Sequence, residues 1–468
     1  MLKTTLIGHA CLLIQSKETT ILSDPVWFDY LWEEINVLCP SITLDKDKVP
    51  PLDILNLSHR HQDHFDVRTL AYLVRDERIL TPDTIVLAPN DEILLDVLKE
   101  LEFKNVRVVA DFEPIRVKDV TFTPTASLNM SSTSKDYYPE HGFIVEDGEV
   151  KIWNQVDTLV SPDIIQYMKE QYGPLDLVHS RFVPLVEGNF SYHKPVNLPF
   201  EEYCSFLNIV KTLGPKFVVP ASAAFRYRDE FNFLNQYSFT TTQEQFLRDL
   251  KAFWPEAQCS QFFSGDVAHI SSDGVKIEKQ SSDFVRVRED DSHRVVFKPV
   301  MEVPPIRSHT IDASQHKREM KVVNDFIENQ LLEKIKQSEM LEAWQHWQVV
   351  YQLEVFGREE KDTYSIDFGI SPLKIQKGDL GKINVYEGIA SREFCALIEG
   401  TSPWDYVTLC GNYRTFNNVY RVTEGSFDFN PIEKMDFIFE PLMEVFPWDR
   451  SMDREKYMKD VRRWKGKA

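Results

Sequence analysis

Short apolar runs closed by polar or turn residues recur along the first 275 or so residues, with helical stretches between them. Strands are predicted from about residue 3 to Gly8, then at 21–23, 52–57, 84–88, 104–109, 120–124, 150–156, 175–178 and Phe217–Pro220. A helix through Leu94, Leu95, Val97 and Leu98 is predicted behind the cap Asn90-Asp91. Further helices are read at Phe200–Leu213 and from about Thr242 to Phe253, the latter running toward Gln261-Phe262-Phe263-Ser264-Gly265. Strands alternating with helices predict an α/β chain with two sheets sandwiched by helices. The proline-rich stretch 298–305 predicts a boundary, because proline removes backbone donors and disfavours helix. It separates a first domain, 1–298, from a second, 306–468. The second opens on a long helix predicted over 313–348, with Met320, Val323, Ile327 and Leu331 on one apolar face. Strands are expected at 349–356, 364–368 and 382–386, and a short helix at 392–400 closed by Gly400. This smaller α+β domain is expected to cover a site, bind substrate or mediate dimerisation.

The densest chemistry lies where one predicted strand ends. Ser58-His59-Arg60-His61-Gln62-Asp63-His64 follows the apolar run 52–57 and places three imidazoles and a carboxylate within six residues. The chain has only 12 histidines in 468 residues, so this clustering points to a metal site. Imidazole and carboxylate donors suit zinc, iron or manganese. Alternate spacing sends His59, His61 and Asp63 off one side of an extended backbone, leaving His64 for a second metal. Other strands end in comparable groups: Gly8-His9-Ala10-Cys11, Ser23-Asp24-Pro25 and Asn154-Gln155-Val156-Asp157-Thr158.

In that order these motifs resemble the metallo-β-lactamase superfamily, and the resemblance implies an αββα sandwich. It also implies His59, His61, Asp63, His64 and Asp157 as ligands of two divalent metals, with Asp63 also the catalytic carboxylate. His9 and Asp24 would brace the ligands from behind. Within the superfamily, further runs are similar to the lactamase-like and C-terminal parts of CMP-N-acetylneuraminate hydroxylases. These are Val219-Pro220-Ala221-Ser222-Ala223-Ala224-Phe225, 416–421, 428–431, and the stretches around 436–437 and 446–447. That branch implies iron and oxygen chemistry. Two departures stand out. None of the six cysteines has a histidine two or three residues later, so this chain has no ligand set for the Rieske cluster those enzymes carry. Electrons for an oxygenase would come from an external donor or a co-substrate. The usual histidines after the 120–124 strand and at the last turn are also missing, the latter reading Pro220-Ala221-Ser222. His141 or His179 is expected to complete the site, with His193 a further candidate.

The leading expectation is a diiron oxygenase acting on a small molecule. Zinc or manganese would suit a hydrolase of a lactone, ester or phosphoester, and a degenerate site would suit a non-catalytic binding protein. Arg181 and Arg226 follow segments that end near the metals, and their forks of donors suit a substrate carboxylate or phosphate. A net charge of −20 argues against nucleic acid or an anionic membrane as partner, yet leaves room for a local basic pocket. Six scattered cysteines form no disulfide framework, no leader is read before the first strand, and no apolar run approaches 18 residues. A cytoplasmic protein and a homodimer are the corresponding expectations.

Overall fold

The computed structural model describes residues 1–128, 139–184, 186–191, 196–221, 224–298, 302–429, 440–446 and 450–466. His193, Ser222 and Ala223 lie outside them. Two sheets face each other. The first has eight strands in the order Gly274–Glu278, Val267–Ser271, Leu2–Gly8, Cys11–Gln15, Thr20–Ser23, Leu52–Asn56, Leu80–Ala88 and Val106–Val108. The second has six, in the order Ile115–Val117, Val120–Thr125, Gly142–Glu146, Lys151–Asn154, Leu177–Ser180 and Phe217–Pro220.

Side-chain alternation decides what each face buries. Leu6, Leu12, Ile14, Ile21, Ile54 and Leu87 point inward from the first sheet and meet Phe122, Phe143, Val145, Ile152, Leu177 and Val219 from the second. Each such side chain contributes about 1.5–3 kcal/mol by leaving water. Their neighbours point outward. Ile7, Leu13, Leu22, Leu55 and Val86 pack under the helices Val67–Leu73 and Glu92–Glu100. Ile144, Trp153 and Val178 pack under Pro162–Tyr172 and Phe200–Leu213. Strands buried on both faces explain the runs without polar alternation. The architecture is the αββα sandwich that the sequence predicts.

The core on the outer face of the first sheet runs on through Val323, Trp344, Tyr351 and Val461. The later part of the chain holds a five-stranded sheet in the order Gln376–Lys377, Lys361–Asp367, Val350–Phe356, Val385–Ala390 and Tyr413–Asn417. The helix predicted over 313–348 is broken. Ala313–Phe326 passes through a wider turn at Ile327–Leu331 into Leu332–Gln337, where Ser338 turns extended with ψ 139°, and Leu341–His346 is a separate helix. The apolar stripe itself is placed as expected, with Val323, Ile327 and Leu331 buried.

The parallel strands Thr20–Ser23, Leu52–Asn56, Lys151–Asn154, Leu177–Ser180 and Phe217–Pro220 end at one edge of the sandwich. The loops leaving those ends carry Asp24, the histidine run, Asp157, Arg181 and Ala224.

Candidate metal centre

The histidine loop is held from beneath by one carboxylate. Asp24 is fully buried and accepts from the Ser58 backbone N–H at 2.8 Å, the Ser58 hydroxyl at 2.7 Å and His64 Nδ1 at 3.0 Å. Its own N–H bonds the Asn56 carbonyl at 3.0 Å, and its φ of 46° turns the chain back over the strand end. With its proton given to Asp24, the Ser58 hydroxyl accepts from His59 Nδ1 at 2.9 Å. The relay Asp24–Ser58–His59 therefore leaves the His59 Nε2 lone pair on the open side, and the bond to Asp24 does the same for His64.

His9 sits in the two-residue turn between Leu2–Gly8 and Cys11–Gln15, at φ 49°. The Ala224 backbone N–H donates to its Nδ1 at 3.1 Å, so Nε2 carries the proton and donates to Asp63 Oδ2 at 3.0 Å. On the opposite side, Asn154 Oδ1 accepts from the Val156 N–H, and the Thr158 hydroxyl bonds the Gln155 carbonyl. These bonds, with Val156 at φ 54°, shape the turn that presents Asp157.

Two groups of ligand atoms result. His9, Asp63 and His64 form one, and His59, His64 and Asp157 form the other; within each group the atoms lie within 4.8 Å of one another. His64 Nε2 faces Asp157 Oδ2 at 3.2 Å and Asp63 Oδ2 at 3.7 Å. Neither His64 Nε2 nor Asp63 Oδ1 has a hydrogen-bond partner, though both are buried. An imidazole lone pair aimed at two carboxylates, one buried and one half-buried, is repulsive unless a positive charge stands between them. A metal cation meets that need, and so does a proton. Burial alone would lower the His64 pKa, but Asp157 and Asp63 outweigh it and hold the ring well above its ordinary value. Burial would raise Asp157, but His64 holds it well below the usual carboxylate range. Burial together with His64 and His61 lowers His59 well below its ordinary value, keeping it neutral and ready to coordinate. The donor set fits a divalent metal ion.

The remaining expected residues divide. His61 is adjacent, with Nδ1 at 2.9 Å from His59 Nε2 and its ring 5.7 Å from Trp32, but it belongs to neither group. His141 lies beside the loop, and its Nε2 is spent on Asn56 Oδ1 at 2.9 Å. Burial lowers it to about 4. His179 is not brought in. Its backbone carbonyl holds the Gln155 N–H at 3.1 Å, while its ring is buried against Phe262 and lowered to about 3. Arg181 reaches the site through the backbone, donating to the Asp157 carbonyl at 2.9 Å, and its guanidinium lies over Phe206. Arg226 turns away. Phe225 packs on His9 with ring centroids 5.4 Å apart, so the next side chain along the strand points to the other face, where it pairs with Asp291.

Three contributors lacked a local signal. Ser58 is the hinge of the relay. Arg60 points away from the ligands and is buried between Asp91, at 2.7 Å, and Asp453. Tyr457 donates to the Arg60 carbonyl. Asp453 and Tyr457 belong to the helix Arg450–Trp464, which thus closes the back of the histidine loop.

Residues 3–222 match the family model described as the Beta-lactamase superfamily domain, and the sandwich has the metallo-β-lactamase fold. A UPF0173 protein of Pyrococcus furiosus is 26% identical over 205 residues, covering 42% of this chain and 87% of that protein. The 4-amino-L-phenylalanyl-(CmlP-peptidyl-carrier-protein) 3-hydroxylase of Streptomyces venezuelae is 27% identical over 176 residues, 37% of this chain. The match spans only 32% of that hydroxylase. Among solved structures, CmlA, a diiron β-hydroxylase of the same species, superposes with a TM-score of 0.39 at 19% identity, covering 56% of this chain and 53% of that one. No described helix is long and apolar enough to cross a membrane.

Proposed function

We propose that this chain is an oxygen-dependent hydroxylase of a small molecule, built on two iron ions. The carrying observation is the pair of ligand groups around His64, whose five residues, His9, His59, Asp63, His64 and Asp157, are enough donors to support a dinuclear reading. The relative named as a 3-hydroxylase supports the choice of reaction. Zinc has no redox chemistry, so a hydroxylase on this donor set calls for iron. His59, His64 and Asp157 would hold one ion, and Asp63, through its unpartnered Oδ1, would face a second, with His9 orienting Asp63. Bound there, the metals would supply Lewis acidity and one-electron redox steps. The residues supply position: Asp24 fixes two imidazoles, His9 fixes Asp63, and Arg181 fixes the Asp157 turn. Hydroxylation consumes one C–H bond, O2, two electrons and two protons, and yields C–OH and water. The electrons would come from an external donor. Hydrolysis is the second reading, favoured by the family model, since a lactamase is a hydrolase.

Metal content, absorption spectrum and oxygen uptake of protein purified without added metal separate the two readings. Two irons per chain, and oxygen uptake by the reduced protein, are expected. Two zinc ions with oxygen-independent cleavage of esters or lactones would overturn the hydroxylase reading in favour of the hydrolase.

A further inference from the structure

A small antiparallel sheet stands next to the metal centre, with strands Phe225–Tyr227, Asn36–Leu38 and Tyr30–Leu31. Its register sorts the side chains. Arg226 pairs with Val37, and Val37 with Tyr30, so these three form one row on one face. Phe225 lies in the neighbouring row and touches His9 on the other face. Arg226, Val37 and Tyr30 line a cavity of about 770 Å³ that contains none of the metal-centre residues. The sheet stands between the two.

The cavity is basic in a chain of net charge −20. Arg226, Arg228, His293, Arg294 and Lys298 line it, against the single carboxylate Asp229. Two of these cations are already neutralised. Arg226 pairs with buried Asp291, and Arg228 pairs with Asp229 and, at 3.7 Å, with Glu34 while stacking on Tyr30. These bonds fix the walls. Arg294 and Lys298 form no ion pair among the described residues, so these two lining cations have no carboxylate partner. The volume falls within the range of small-molecule pockets, roughly 300–1,000 Å³. A phosphomonoester carries close to two negative charges at neutral pH, and a guanidinium fork matches its oxygens.

We infer that this cavity is a second ligand site, separate from the metal centre, for a small molecule bearing a phosphoryl group. Its walls share the strand Phe225–Tyr227 with the contact to His9, so occupancy of the cavity bears on the support of Asp63.

Inorganic pyrophosphate is the probe, titrated calorimetrically at constant ionic strength into metal-free protein, because phosphates also bind metals. Saturable binding by the metal-free wild type is expected, with the Kd weakened at least tenfold in Arg294→Gln/Lys298→Gln. Both positions are exposed, so circular dichroism should report an unchanged fold. Lys276→Gln, exposed on a distant strand, should bind as the wild type does. Three results would each overturn the proposal: binding no tighter than that of chloride at equal ionic strength, binding seen only with metal present, or binding unaffected by the double substitution.

Discussion

At the scale of single residues, Asp24 governs the candidate metal centre without facing it. Three donors converge on its two oxygens, and two of them set which nitrogen of His59 and His64 faces the open side. Asn at this position keeps one oxygen and brings an N–H₂ against groups that themselves donate. Asp24→Asn is therefore expected to weaken metal binding about 10–100-fold and to cost about 1–3 kcal/mol for the unpaired buried donor. Metal titration with a competing chelator reads the first, and urea unfolding the second. Metal affinity equal to that of the wild type would show that the relay does not set the ligands' orientation.

Among the elements, the helix Arg450–Trp464 carries the most consequence for its size. Arg60 is 3% exposed and satisfied by Asp91 and Asp453. Removing one partner strands part of a buried charge, which typically costs about 3–5 kcal/mol. Asp453→Ala should lose stability on that scale and loosen metal binding, while Arg60→Met/Asp91→Asn/Asp453→Leu, which removes the three charges together and keeps a capping side chain at 91, should recover most of the stability. Denaturant midpoints decide it; a single substitution costing under about 0.5 kcal/mol would mean the pair is only a surface contact. This helix also shows where sequence reading stops. Phe200–Leu213 and Gln243–Phe253 were legible because apolar spacing and caps such as Thr242 are local signals. Arg450–Trp464 buries Tyr457 and Val461 in an otherwise largely polar sequence, and its partners lie far away in the chain. The break at Ser338 was missed because Glu, Lys and Gln continue a helical pattern across it. In the centre, the clustering of His59, Asp63 and His64 was legible from their density, while Asp157 was reached only through the resemblance to the metallo-β-lactamase superfamily. The placement of His179 and Arg226 needed strand direction and tertiary packing, which spacing does not encode.

For the molecule as a whole, the later part of the chain makes stability depend on pH. Glu387 is fully buried beneath the hydroxyls of Tyr351 and Tyr413, at 2.8 and 2.7 Å, and burial raises its carboxyl to about 7. The folded state thus keeps a proton that the unfolded chain releases near 4.5. The stability this carboxyl contributes is fullest below about 4.5, falls as pH rises toward 7, and levels beyond; the loss is about 3 kcal/mol. Buried Glu393, also raised to about 7, adds to the same slope. Glu387→Gln should flatten the fall in Tm between pH 5 and 7.5 by about half. Repulsion among the −20 charges also grows with pH, so the difference between the two proteins isolates the carboxyl. Superimposable Tm profiles would remove Glu387 as its source.

The clamp on the histidine loop joins residues 393 positions apart. A ribosome adding roughly 5–20 residues per second makes His59 to His64 on the order of 20–80 s before it makes Asp453. Through that interval the nascent chain carries its imidazoles without the helix that closes their back. Any ion that meets them then meets an unfinished loop. Choice of metal would accordingly fall to the chain once the helix Arg450–Trp464 is in place, and the supply of ions at that moment would set what the centre holds.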